Sequence, residues 1–85
     1  MHEMSMAMEI ARVAEERLGT AAWQLVAVGV RVGDRAGVEP ANLSFCLDAV
    51  FATPPFRGAR CDLVPAAGDV LQIDYFEIDD GNPDD

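Results

Sequence analysis

The sequence predicts an α+β fold, a two-layer domain with two helices on one face of a small three-stranded, mostly antiparallel sheet. Apolar residues recur at three- and four-residue steps in residues 5–18 and again from Pro40 onward, which indicates two amphipathic helices. Segments at 23–32, 60–64 and 70–78 carry apolar residues at alternate positions, which indicates strands. Elements in the order helix, strand, helix, strand, strand can close into two layers around one core.

The helix boundaries follow from capping residues. Ser5 is a suitable N-cap, because its hydroxyl can accept a hydrogen bond from a first-turn amide, and Gly19 suits the left-handed residue that ends a helix. Pro40 stands where a second helix tolerates proline best, and residues 53–55 stop that helix. The predicted buried stripe of the second helix comprises Leu43, Cys46, Leu47, Val50 and Phe51. The methionines near the start are interpreted as core fillers; they are Met4, Met6 and Met8.

For the strands, the sequence predicts which side chains face the core and which strands pair. Valines alternate along the first strand and are expected to face the core. The last two strands are predicted to form a hairpin through residues 65–69, and a bulge near Tyr75 would reconcile a shift in the apolar parity of the last strand. We assign residues 1–78 to one domain and residues 79–85 to an acidic, disordered tail.

Composition limits the class of protein. A net charge of −9, from 15 acidic against 6 basic side chains, disfavours binding to nucleic acid or to a membrane surface. With 85 residues the core is small, so a homodimer would add stability. Cys46 and Cys61 are expected to be reduced thiols of a cytoplasmic protein, since no transmembrane run or signal peptide is seen. No nucleophile–base pair or phosphate loop is present, which argues against an enzyme.

The only histidine, His2, offers a metal site beside the terminal amine of Met1. A metal can bind the amine, the backbone nitrogen of His2 and its imidazole in fused chelate rings, with Glu3 supplying a fourth donor through its carboxylate or its amide. Four such donors in a plane suit Ni(II) or Cu(II). Amine and imidazole must lose a proton to bind, so binding is expected to weaken sharply below about pH 6.5. Taken alone, a histidine near a chain start is more often a solvated residue.

Three segments resemble the HypA/HybF hydrogenase nickel incorporation family. Residues 1–5, Met-His-Glu-Met-Ser, followed by Ala7 and Ile10, are similar to the family's start. Residues 32–40 are similar to its strand end and the loop before its second helix, although the family usually has Glu where Asp34 stands. Residues 68–77 are similar to its closing strand.

The resemblance implies a nickel metallochaperone with His2, the Met1 amine and Glu3 as the metal site. It implies delivery of Ni(II) to a [NiFe] hydrogenase large-subunit precursor, with urease as a second recipient, and work with a HypB-like GTPase. The family also carries a zinc ribbon between its last two strands, for which this sequence leaves only a short connection, so we predict no structural zinc. The alternative is a degenerate protein-interaction or dimerisation module that no longer delivers metal.

Overall fold

The first helix, α1 (His2–Leu18), begins three residues earlier than predicted in the computed structural model, which describes residues 2–79. Ser5 therefore lies inside the helix and is not its cap. The helix extends back because Glu3 in its first turn is anchored to a distant part of the chain, as described below. The buried face of α1 consists of small and branched residues: Ala7, Ile10, Ala11 and Ala14. Gly19 follows with φ of 57°, the left-handed conformation predicted for it.

The first strand, β1 (Leu25–Gly33), starts two residues later than predicted, because a short 3₁₀ segment (Gly19–Gln24) precedes it. Its valines at 28, 30 and 32 are buried as expected. Val26 is 37% exposed, since the register with the neighbouring strand shifts between Leu25 and Ala27 and breaks the alternation there. The middle of β1 is buried on both faces, which is the burial of a central strand.

The remaining elements are α2 (Pro40–Phe51), β2 (Arg60–Ala66) and β3 (Leu71–Ile78). The helices lie on one face of the sheet, so the two-layer α+β fold is confirmed. The predicted stripe of α2 is also confirmed, with Leu43, Cys46, Leu47 and Phe51 buried. Of the three methionines, Met6 packs on the core, but Met4 and Met8 are 36% and 59% exposed, so the prediction that they are core fillers is wrong for these two.

The strand order is β2-β1-β3, so the predicted hairpin of the last two strands is wrong. β1 lies between them and pairs in parallel with β2, through the crossover helix α2, and antiparallel with β3. The physical reason is the burial of β1, which needs a hydrogen-bonded neighbour on each side. The bulge predicted near Tyr75 is confirmed, because Ile73 and Tyr75 pair with adjacent residues of β1 and Asp74 is left as the extra residue.

The face of the sheet opposite the helices is polar. Gly29 of β1 lies under the ring of Tyr75, and a side chain at position 29 would collide with that ring. The Tyr75 hydroxyl donates to Asp62 at 2.7 Å, and Arg60 donates to the same carboxylate at 3.0 Å. This arrangement replaces a missing side chain on the central strand with an aromatic ring from its neighbour.

The connection between β2 and β3, residues 67–70, passes over the end of β1 and is fastened there. Backbone amides of Gly33 and Arg35 donate to the carbonyls of Val70 and Gly68, each at 2.7 Å. In return, the Gly68 amide donates to the Asp34 carboxylate at 2.9 Å. Only four residues lie between these two strands, so no inserted domain separates them.

Candidate metal centre

His2 is exposed in the first turn of α1, the position from which the sequence predicts metal binding. The first amides of a helix have no acceptor within the helix. The backbone nitrogens of His2 and Glu3 can therefore lose their protons to a metal without the loss of a helical hydrogen bond. The third predicted ligand, Met1, lies outside the described residues.

Glu3 is held by the start of α2. One carboxylate oxygen accepts from the backbone N–H of Glu39 at 3.0 Å, and the other accepts from the side-chain amide of Asn42 at 3.1 Å. The hydrogen bond from the Glu39 amide is the largest cause of a lowered pKa for Glu3. The pKa is lowered further by the backbone amide of Glu3 itself, by the side chain of Asn42 and by the charge of His2. Both carboxylate oxygens are thus engaged with hydrogen-bond donors from Glu39 and Asn42.

Glu39 is a neighbour of this site that the sequence analysis did not include in it. Its carboxylate accepts from the backbone N–H of Asn42 at 2.8 Å and caps α2. A second carboxylate therefore lies at the end of α2 that holds Glu3. The signal in the sequence was an acidic residue directly before Pro40 and three residues before Asn42. Over residues 2–79, no group of three or more His, Cys, Asp or Glu side chains is arranged to hold a metal.

The two cysteines do not take part in the candidate centre. Cys46 is buried on α2, and Cys61 is half-buried on β2; both are free thiols. Burial, followed by the charges of Asp48 and Asp62, raises the pKa of Cys61 to about 12. A thiol that stays protonated at neutral pH is a poor metal ligand, because the thiolate is the form that binds. The absence of a structural zinc ion stays a prediction.

These features define a small α+β domain whose candidate metal site is a histidine at the head of its first helix. Within residues 2–79, no helix combines the length and apolar character needed to cross a bilayer. The sequence model of the family described as hydrogenase/urease nickel incorporation, metallochaperone, HypA, matches residues 1–71. The chain belongs to this family, and the resemblance found in its sequence is confirmed.

Named relatives agree with this assignment. The chain is similar to the hydrogenase maturation factor HypA of Azotobacter chroococcum, with 38% identity over 69 residues that cover 80% of this chain and 61% of the relative. It is also similar to HypA of Geobacter metallireducens, with 32% identity over 81% of this chain and 63% of the relative. HypA of Paracoccus denitrificans is 32% identical over 94% of this chain and 74% of the relative. The chain thus spans about three fifths of the length of the first two of these relatives.

Proposed function

We propose that this domain carries Ni(II) as cargo for the maturation of a [NiFe] hydrogenase, with urease as a second recipient. The metal is held by the Met1 amine, the backbone nitrogen and imidazole of His2, and the amide of Glu3. The observation that supports this most is the position of His2, exposed in a helical first turn whose amides have no helical acceptor. Membership of a nickel incorporation family supports the choice of Ni(II) over Cu(II).

The chemistry of this ligand set is that of a carrier and not of an enzyme. Nitrogen donors in a plane bind Ni(II) only when they are deprotonated, so acid releases the metal. A recipient site with more donors can take the ion from an exposed chelate without unfolding the domain. We place this transfer in the cytoplasm, with a HypB-like GTPase and the large-subunit precursor as partners. A homodimer through an outer sheet edge, at β2 or β3, is part of the same proposal.

Calorimetric titration of Ni(II) tests the site. A protein that starts at Met1 without a tag is compared with His2→Ala and with a version that carries extra residues before Met1. Both changes should abolish tight binding, because each removes a donor of the fused chelate. Glu3→Gln serves as the matched control that keeps the amide and removes only the carboxylate, so it should bind Ni(II) nearly as well as the parent.

The spectrum of the bound metal provides a second readout. A planar nitrogen site gives diamagnetic Ni(II), so the amide resonances near His2 should stay sharp in the nickel-loaded protein. Equal Ni(II) affinity in the parent, in His2→Ala and in the extended version would refute the proposed site. That result would favour the interaction-module alternative. If Glu3→Gln alone abolished binding, the carboxylate and not the amide would be the fourth ligand.

A further inference from the structure

Three large apolar side chains are exposed on the outer surface of the helical layer. Phe45 of α2 is 70% exposed, Met8 of α1 is 59% exposed and Met4 is 36% exposed. Together these three residues are called the α1–α2 patch. Single exposed apolar residues are ordinary, but a cluster of them marks an interaction site, and Met and Phe are enriched in protein interfaces.

The geometry of the helices brings the patch together. α1 and α2 lie side by side and start at the same end, since Glu3 bonds to Asn42. Phe45 comes one turn after Asn42. Along the shared direction of the two helices, Phe45 therefore lies at a height between Met4 and Met8. Met4 and Met8 are themselves one turn apart on α1, about 6 Å along its axis. The three side chains therefore form a short stripe across the seam of the two helices.

A groove continues this stripe along the seam. It measures about 290 Å³, and its lining contains both a carboxylate and a guanidinium group among apolar side chains: Met8, Ala11, Arg12, Glu15, Val50, Thr53, Pro54 and Phe56. From Met4 to Glu15 the helix rises about 16 Å, which is the length of three helical turns. An exposed apolar stripe of this length between two helices suits the apolar face of a third helix.

The charges around the stripe indicate which kind of helix fits. Glu15 and Asp48 make no ion pair within residues 2–79, and Arg12 is already held by Glu9 at 2.6 Å and by Glu16 at 3.7 Å. The helical layer carries six carboxylates against two guanidinium groups: Glu3, Glu9, Glu15, Glu16, Glu39 and Asp48 against Arg12 and Arg17.

We propose that the α1–α2 patch docks a basic amphipathic helix of a partner protein. The apolar face of that helix covers Phe45, Met4 and Met8, and its Lys or Arg side chains face Glu15 and Asp48. The helical layer of a second copy is a poor occupant of this patch, because it carries the same surplus of carboxylates as the surface it would cover. Docking needs no metal and stands independently of the His2 site.

A synthetic helix of about 18 residues, with Leu along one face and Lys on the other, is the probe. Binding is measured by fluorescence anisotropy of the labelled peptide. Phe45→Ala should weaken binding by about tenfold or more, as expected for an aromatic anchor. Trp23→Ala is the matched control, because Trp23 is 58% exposed beyond the far end of α1, and it should change affinity less than about twofold. His2→Ala should leave binding unchanged.

Two further binding measurements separate docking from simple attraction between charges, and a third measurement checks the fold of the Phe45 variant. A scrambled peptide of the same composition should bind about tenfold more weakly. Glu15→Gln with Asp48→Asn should weaken binding of the amphipathic peptide and reduce its salt dependence. Circular dichroism of Phe45→Ala should match the parent, since this exposed side chain is not part of the core.

Several outcomes would overturn the proposal. Equal binding of the scrambled and the amphipathic peptides would show attraction by charge alone. Unchanged affinity in Phe45→Ala would place the interaction elsewhere. Sedimentation that shows a dimer dissociated by Phe45→Ala would assign the patch to a second copy of this chain. Binding to neutral lipid vesicles that depends on Phe45 would assign it to a membrane.

Discussion

Replacing Gly33 by alanine tests how the connection between β2 and β3 is fastened to the end of β1. An ideal Cβ on Gly33 would lie 2.7 Å from the carbonyl carbon of Gly68 and 2.8 Å from the backbone nitrogen of Val70. Both are backbone atoms, so the connection cannot give way by a side-chain rotation and must move as a whole. The movement would separate the atoms of the hydrogen bonds that hold residues 67–70.

The expected cost follows from those hydrogen bonds. Three are lost, from Gly33 to Val70, from Arg35 to Gly68 and from Gly68 to Asp34. At about 0.5–1.5 kcal/mol net for each bond, their loss lowers the free energy of unfolding by about 1.5–4.5 kcal/mol. A Gly-to-Ala change also stiffens the unfolded chain, which returns about 0.4–1 kcal/mol. Gly33→Ala should therefore destabilise the domain by about 0.5–4 kcal/mol.

Urea unfolding followed by circular dichroism measures this difference. Asp34→Ala is the control, because it removes only the bond to Gly68 and should cost about 1 kcal/mol. The double variant should cost less than the sum of the two single changes, since a displaced connection has already lost the Asp34 contact. If Gly33→Ala proved as stable as the parent, the close approach of the two backbone segments would be refuted.

Three further predictions concern titratable groups. Hydrogen bonds from the α2 start lower the pKa of Glu3, so its stabilising effect exists above pH 4.5 and is lost as pH falls through the lower folded value. At neutral pH, Glu3→Gln should unfold at a lower urea concentration than the parent, and the two unfolding midpoints should converge in acid. A difference between the midpoints that does not change with pH would contradict this prediction. The Cys61 thiol, with a pKa of about 12, should react slowly with iodoacetamide at pH 8 until the domain is unfolded, and rapid native labelling would show that it is not shielded. The bond to Asp62 raises the pKa of Tyr75, the single tyrosine, so its ultraviolet titration should lie above pH 10 and move toward 10 in Asp62→Asn; no movement would deny that contact.

Local pattern was enough to predict most elements. The three- and four-residue spacing located both helices, and Pro40 fixed the start of α2 because proline fits the first helical turn. The change of apolar parity in β3 predicted its bulge, since a side-chain period of two cannot otherwise switch faces. These features depend on neighbours in the sequence, which is why the sequence contains them.

Features that depend on distant contacts were missed. Ser5 is a good local cap, but Glu3 bonds to Glu39 and Asn42, 36 and 39 residues away, and this contact extends α1 past the cap. The short connection between the last two strands suggested a hairpin, whereas the need of β1 for two neighbours separates them.

At the candidate metal site, too, the local motif was predicted from the sequence and the distant contact was missed. His2 was predicted from its motif and lies exposed in the first helical turn. Whether it binds nickel, with Met1 and Glu3, stays a prediction. The proximity of Glu39 was missed, because only the packing of α1 beside α2 brings it to Glu3.

The order of the strands makes the crossing over β1 a natural point for insertion. β2 ends and β3 begins on opposite sides of the same end of β1, so residues 67–70 bridge the sheet outside its ladder of paired backbone groups. A longer segment grafted there can leave the strand pairings in register, but it costs whichever of the hydrogen bonds to Gly33, Asp34 and Arg35 it displaces.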